Sequence, residues 1–238
     1  MKPFNSKLRL SSVIATLFVV AGCSDNDNNE EPQIVVPAPV PYTYQVTVTN
    51  LTHAQPLSPI AVALHNSDVE WWTIGEAASD ALASLAESGS NEALLSDTTL
   101  FASATGNAPL PPGNSVTLAI IVDDIDNARI SVATMLVNTN DAFSGVNGVD
   151  LSSLEVGDVY QRNALVYDAG TEENTEAIGT IPGPADSGEG SSEGREDHNV
   201  VTLHPGVVTA SDGLTTSVLS ADHKFDNPGV LISITRME

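Results

Sequence analysis

"YQVTVTNLT", residues 44–52, places Tyr44, Val46 and Val48 on one side of an extended chain and Gln45, Thr47 and Thr49 on the other. A period of two belongs to a half-buried β-strand, because successive strand side chains leave opposite faces. Outward from it run further apolar stretches of similar length. They are "SPIAVALH" (58–65), "SVTLAIIV" (115–122), "RISVATMLVN" (129–138), "VYQRNALVYD" (159–168), "NVVTLHPGVV" (199–208) and "GVLISITRM" (229–237). Gly, Pro, Asn and Asp clusters separate them, which predicts about seven strands. One stretch breaks the pattern. "TIGEAASDALASLAESG" (73–89) carries Ala78, Leu82, Leu85 and Ala86 at helical spacing, with Gly89 as its stop. One short helix among many strands predicts an all-β antiparallel β-sandwich with a single helix in one connection.

The chain has 238 residues, with 8 Lys+Arg against 31 Asp+Glu and a formal net charge of −23. A hydrophobic share of 41% is enough for a core, so this is not a disordered acidic chain. The charge excludes nucleic acid as a partner, since phosphate backbones need clustered Lys and Arg. It equally opposes electrostatic docking on anionic lipid.

The amino-terminal segment predicts export. Lys2, Lys7 and Arg9 precede "SSVIATLFVVAGC", an apolar run too short for a comfortable membrane span. "VAGC" (20–23) resembles a bacterial lipobox, which implies a signal peptide over 1–22 and lipidation of Cys23. Several acyl chains on one residue give stable anchoring. Ser24 after the cysteine favours the outer membrane of a cell envelope. The mature chain then keeps 5 cations against 31 acids, or −26. Residues 23–43 form a tether whose Pro32, Pro37, Pro39 and Pro41 favour extended backbone. The folded domain is expected over 44–238.

Within it, "TEENTEAIGTIPGPADSGEGSSEGREDH" (171–198) reads as a long, mobile acidic loop. Asp168, Glu172, Glu173 and Glu176 crowd together with no nearby cation in sequence. A second acidic run, Asp123, Asp124 and Asp126 in "VDDIDNAR", lacks the glycine and distal glutamate of an EF-hand and reads as a solvated turn. His53, His65, His198, His204 and His223 make no tight zinc spacing. His65 and His204 read as satisfied structural residues. No G-x-S-x-G elbow occurs.

Several co-linear motifs resemble the spondin N-terminal (F-spondin) domain family. "VTVTNLTHAQPLSPIAVALH" followed by "WWTIGEAASDALASLAESG" is similar to the family's opening, "MLVNTNDAFSGVNGVDL" (135–151) to its "DWF…GVDSL" region, and "YDAGTEE" (167–173) to its "YDAGTD" stretch. The resemblance implies a C2-like antiparallel sandwich with a calcium ion held by Asp141, Asp168 and Glu172. Two departures stand out: Glu172 replaces an aspartate, and Ala142 replaces the tryptophan. Calcium takes six to eight hard oxygen ligands, which converging acidic loops supply. Asp150, Asp158 and Glu173 read as surface acids.

The functional expectation is a calcium-binding, membrane-anchored extracytoplasmic binding or adhesion module without catalytic activity. Its partner would be an unidentified protein or glycan ligand. The alternatives are a metal-assisted hydrolase and a purely structural envelope lipoprotein.

Overall fold

The computed structural model describes residues 41–123, 128–191 and 198–238. The expected signal segment 1–22, Cys23 and most of the tether lie outside the described residues, as do Asp124 and Asp126. Ten strands and two short helices follow in order. They are β1 (Tyr42–Asn50), β2 (Ala61–His65), α1 (Asp80–Ser88), α2 (Glu92–Leu95), β3 (Ala102–Thr105), β4 (Ser115–Val122), β5 (Arg129–Met135), β6 (Ala142–Asp150), β7 (Val159–Ala164), β8 (Val166–Asp168), β9 (Thr202–Leu203) and β10 (Val230–Arg236). They build one sheet in the order β4-β1-β10-β7 and another in the order β3-β2-β5-β6-β8-β9. Every paired neighbour is antiparallel. The protein is an all-β sandwich.

The alternation in 44–52 has the meaning expected of it. Tyr44, Val46 and Val48 are fully buried, and Val46 and Val48 lie in register with Ile234 and Ile232 of β10. Thr47 and Thr49 face outward, where their hydroxyls meet those of Thr117 and Ser115 at 2.8 and 2.7 Å. Val62, Leu64, Ile130 and Val132 of the other sheet complete the inter-sheet core. Burying one such side chain contributes about 1.5–3 kcal/mol.

The six-stranded sheet is covered on its outer face too. Leu82, Leu85 and Ala86 of α1 pack with Ala61, Ala63, Ala133 and Phe143. All five residues of β2 are therefore buried, which explains why "AVALH" shows no polar alternation. The helix starts at Asp80, later than the spacing predicted. Gly75 and Glu76 instead exchange backbone hydrogen bonds with Val201, both 2.8 Å. Ser79 caps α1, its hydroxyl accepting the Leu82 N–H at 3.2 Å. Gly89 ends it at φ 73°, where an added Cβ would stand 2.8 Å from that of Ser58.

Three expectations need correction. "VYQRNALVYD" is two strands in different sheets, with Leu165 at the crossing. Asn227 Oδ1 takes the Val166 N–H at 2.7 Å and Ser144 donates to the Leu165 carbonyl at 2.9 Å, so side chains hold the jog. "NVVTLHPGVV" contains only the two-residue β9. Residues 171–191 form a connection without regular elements, as expected, but one pinned to the domain: Glu172, Glu176 and Ile181 are buried, and Ile181 packs with Val207 and Leu219.

Candidate metal centre

Asp141 stands at the entrance to β6. The turn before it is fixed by Thr139, whose hydroxyl donates to the Leu136 carbonyl at 2.6 Å and accepts the Ala142 N–H at 3.0 Å. Asp168 ends β8, directly opposite Ala142 in the β6–β8 register. The two aspartates therefore reach one end of the sheet from adjacent strands. Ala169 then donates its N–H to the Asp141 carbonyl at 3.3 Å.

Gly170 turns the chain. Its φ of 68° lies in the left-handed region, and an added Cβ would press on the Val200 backbone, with the nitrogen at 2.7 Å. The turn aims the next two amides back at Asp141. Its Oδ2 accepts N–H groups from Thr171 at 2.8 Å and Glu172 at 3.0 Å, with the Thr171 hydroxyl at 3.3 Å. Asp168 uses Oδ1 for the Gly170 N–H at 2.8 Å and Oδ2 for the Asn174 amide at 2.6 Å.

Asp141, Asp168 and Glu172 are buried, at 0, 4 and 1% exposure. Asp141 Oδ1 has no hydrogen-bond partner among the described residues. Burial first and the Asp168 charge second push the Asp141 carboxyl up to about 7, against the opposing pull of the Glu172 and Thr171 donors. A buried carboxylate with one oxygen unsatisfied, beside a second carboxylate, is the electrostatic environment a divalent cation relieves. Oxygen-only side chains suit a hard ion such as calcium rather than a soft one. The trio thus fits the group in chemistry and location. Its side chains do not yet converge, since no three His, Cys, Asp or Glu residues form a ready cluster among the described residues.

Asp150, Asp158 and Glu173 are exposed, as surface acids should be. His65 is satisfied, with Nδ1 at 2.7 Å from the Asn66 carbonyl and Nε2 at 2.8 Å from the Ser131 hydroxyl. His204 departs from that expectation. Its Nδ1 accepts the Gly206 N–H at 2.9 Å, while its buried Nε2 has no partner. Burial lowers its pKa to about 4, with the Asp168 charge opposing. A neutral ring whose Nδ1 accepts must carry its proton on Nε2, which makes that nitrogen a donor rather than a base.

Sequence reasoning missed Glu176. It is buried at φ 50°, its Oε1 accepting the Val208 N–H at 2.8 Å and its Oε2 the Ser217 hydroxyl at 3.3 Å. Burial raises its carboxyl to about 7. Its place in an acidic, glycine-rich run gave no sign of burial, because the covering residues lie some thirty to forty positions away, at 207–219.

The family model described as Spondin_N matches residues 45–179, which hold Asp141, Asp168 and Glu172. No curated protein matches the chain.

Proposed function

The chain belongs to the spondin N-terminal domain family, and from that premise we propose a calcium-stabilised binding module, anchored by Cys23 in a bacterial cell envelope. The family is one of non-catalytic, extracellular binding-type modules. One observation carries the calcium reading: Asp141 Oδ1 is buried without a partner while the charge of Asp168 acts on the same carboxyl. Asp141, Asp168 and Glu172 would hold the ion. A divalent cation bound there would draw the three side chains together and favour their ionised forms. The chain's own part is to order the 168–172 turn, through Gly170 and the two amides donated to Asp141.

The hydrolase alternative lacks support at this end of the sandwich. Such a reaction needs a base beside the ion, and His204 presents a protonated Nε2 there. The anchor rests on "VAGC" and its charged, apolar leader. It predicts mature protein that begins at a lipid-modified Cys23, read by mass spectrometry, and that fractionates with the outer membrane, and Cys23→Ala should release it to the soluble fraction. An unmodified Cys23, or cleavage elsewhere, ends that part of the reading. The calcium part is tested by thermal melts with chelator and with calcium. Calcium at a hundred times its Kd should add about 2.7 kcal/mol, and no shift would exclude the site.

A further inference from the structure

Further along β6 from Asp141, the sandwich is open along one side. β7 is an edge strand paired only with β10, and β8 covers β6 only over Ala142–Ser144. The rest of β6 therefore has β5 as its one strand neighbour. Tyr160 and Arg162 lie in register with Ile234 and Ile232, which are buried between the sheets. Residues opposite one another share a face, so both project inward at the opening. There they line a groove of about 590 Å³ with Trp72, Asp150, Ser153 and Tyr167.

The aromatic wall is held in place. The Asn147 amide donates to the Trp72 carbonyl at 2.8 Å, and its oxygen accepts the Trp71 N–H at 3.0 Å. The Trp72 ring packs on Phe143 and Tyr167 with centroids 5.2 and 5.7 Å away. Arg162 is exposed at the opening, and its charge acts on the Tyr167 hydroxyl. In a chain with 31 acids Arg162 has neither an ion pair nor a hydrogen bond among the described residues. Arg129 next to the groove is paired with Asp150 at 3.2 Å.

We propose that this groove binds a carboxylate-bearing carbohydrate, a uronic-acid sugar, with Arg162 taking the carboxylate. A guanidinium matches a carboxylate with two parallel hydrogen bonds. The negative faces of Trp72, Tyr160 and Tyr167 suit the weakly positive C–H faces of a sugar ring. Asp150 and Ser153 serve hydroxyl groups at the rim. The volume falls within the range of small-molecule sites, roughly 300–1,000 Å³. A cationic ligand would meet Arg162 and be repelled. An added peptide strand needs a regular edge, and β6 has a register shift opposite Ile130–Val132 and a φ of 65° at Gly148. The net negative charge opposes an anionic ligand only within about 8 Å at physiological salt.

The inference rests on the binding-module reading and gives that module a ligand class. The full chain is titrated with a panel of uronate-terminated oligosaccharides and with their methyl esters. Tryptophan fluorescence reports binding, since Trp71 and Trp72 are the only two tryptophans. The acid forms should quench or shift the emission, and the esters should bind at least about tenfold more weakly. Arg162→Ala and Arg162→Lys should each lose at least about tenfold in affinity while melting at the wild-type temperature. An inward charge that merely guards the sheet edge would let Arg162→Lys bind as wild type does, which overturns the proposal. So would equal binding of acid and ester, or no binding by any member of the panel. Calcium-dependent melting is read on the same samples. If it persists while sugar binding fails, only the groove is wrong; if it fails while sugar binding holds, only the metal reading is.

Discussion

Asp141 and Glu176 are two buried carboxyls, each pushed up to about 7, yet their surroundings differ in kind. Glu176 has both oxygens occupied, by the Val208 N–H and the Ser217 hydroxyl. Asp141 leaves Oδ1 without a partner and sits in the field of Asp168. The same raised pKa therefore has two meanings. Around Glu176 the protein has completed the hydrogen bonding itself and the acid ties the 176 turn to 208 and 217. Around Asp141 the protein has stopped one ligand short, which is the condition for an external cation.

The largest expected effect breaks the Asp141 side at its hinge. Gly170→Ala adds a Cβ against the Val200 backbone at φ 68°. Strain and overpacking together should cost on the order of 3 kcal/mol, which lowers Tm by roughly 10 °C in a domain of this size. Calcium should recover little of it, because the amides from 171 and 172 no longer reach Asp141. A thermal melt near wild type would mean that the turn is not under the steric demand described.

Next comes the Glu176 side, through pH. Its folded pKa of about 7 lies above the ordinary 4.5, so the folded state holds the proton more tightly than the unfolded chain. The stabilisation from this group is complete below pH 4.5 and is lost as pH rises to about 7. The full shift corresponds to about 3 kcal/mol, and screening by nearby solvent brings the expected loss to the order of 2 kcal/mol. Glu176→Gln keeps an acceptor for Val208 and a donor for Ser217, so it should flatten this slope and melt higher than wild type at pH 8. Chemical denaturation across pH, with saturating calcium throughout, measures it. A variant that keeps the full slope would assign the titration elsewhere.

The smallest effect is a control on the far layer. Ser79→Ala removes the hydroxyl that caps α1 and should cost about 1 kcal/mol. The calcium-dependent part of the melt should be unchanged, since α1 contributes no residue to the acid site. A lost calcium response would couple the two regions in a way the packing does not predict.

The sandwich was legible where one face is wet. Tyr44, Val46 and Val48 alternate with threonines because β1 faces water on its other side. It was least legible where chemistry and strand formation compete. β6 is missing from the expected strands, and Gly145 and Gly148 interrupt its apolar pattern, yet Gly145 allows close approach to the next strand, where an added Cβ would stand 2.9 Å from the Val132 carbonyl carbon. Asp141 and Asp168 were identified by motif, and the strand register explains why they meet. Glu176 and Arg162 were invisible because their roles depend on long-range partners: burial by 207–219 for one, an unpaired sheet edge for the other.

Isothermal titration of calcium into the full chain, its Asp168→Asn variant and its Glu173→Gln variant tests the central claim most directly. Wild type and Glu173→Gln should bind one calcium per chain with similar affinity, because Glu173 is exposed. Asp168→Asn should bind at least about tenfold more weakly, and magnesium should bind wild type less well than calcium does, given its stricter octahedral demand. Wild type that takes up no calcium, or Asp168→Asn that binds it unchanged, would contradict the account.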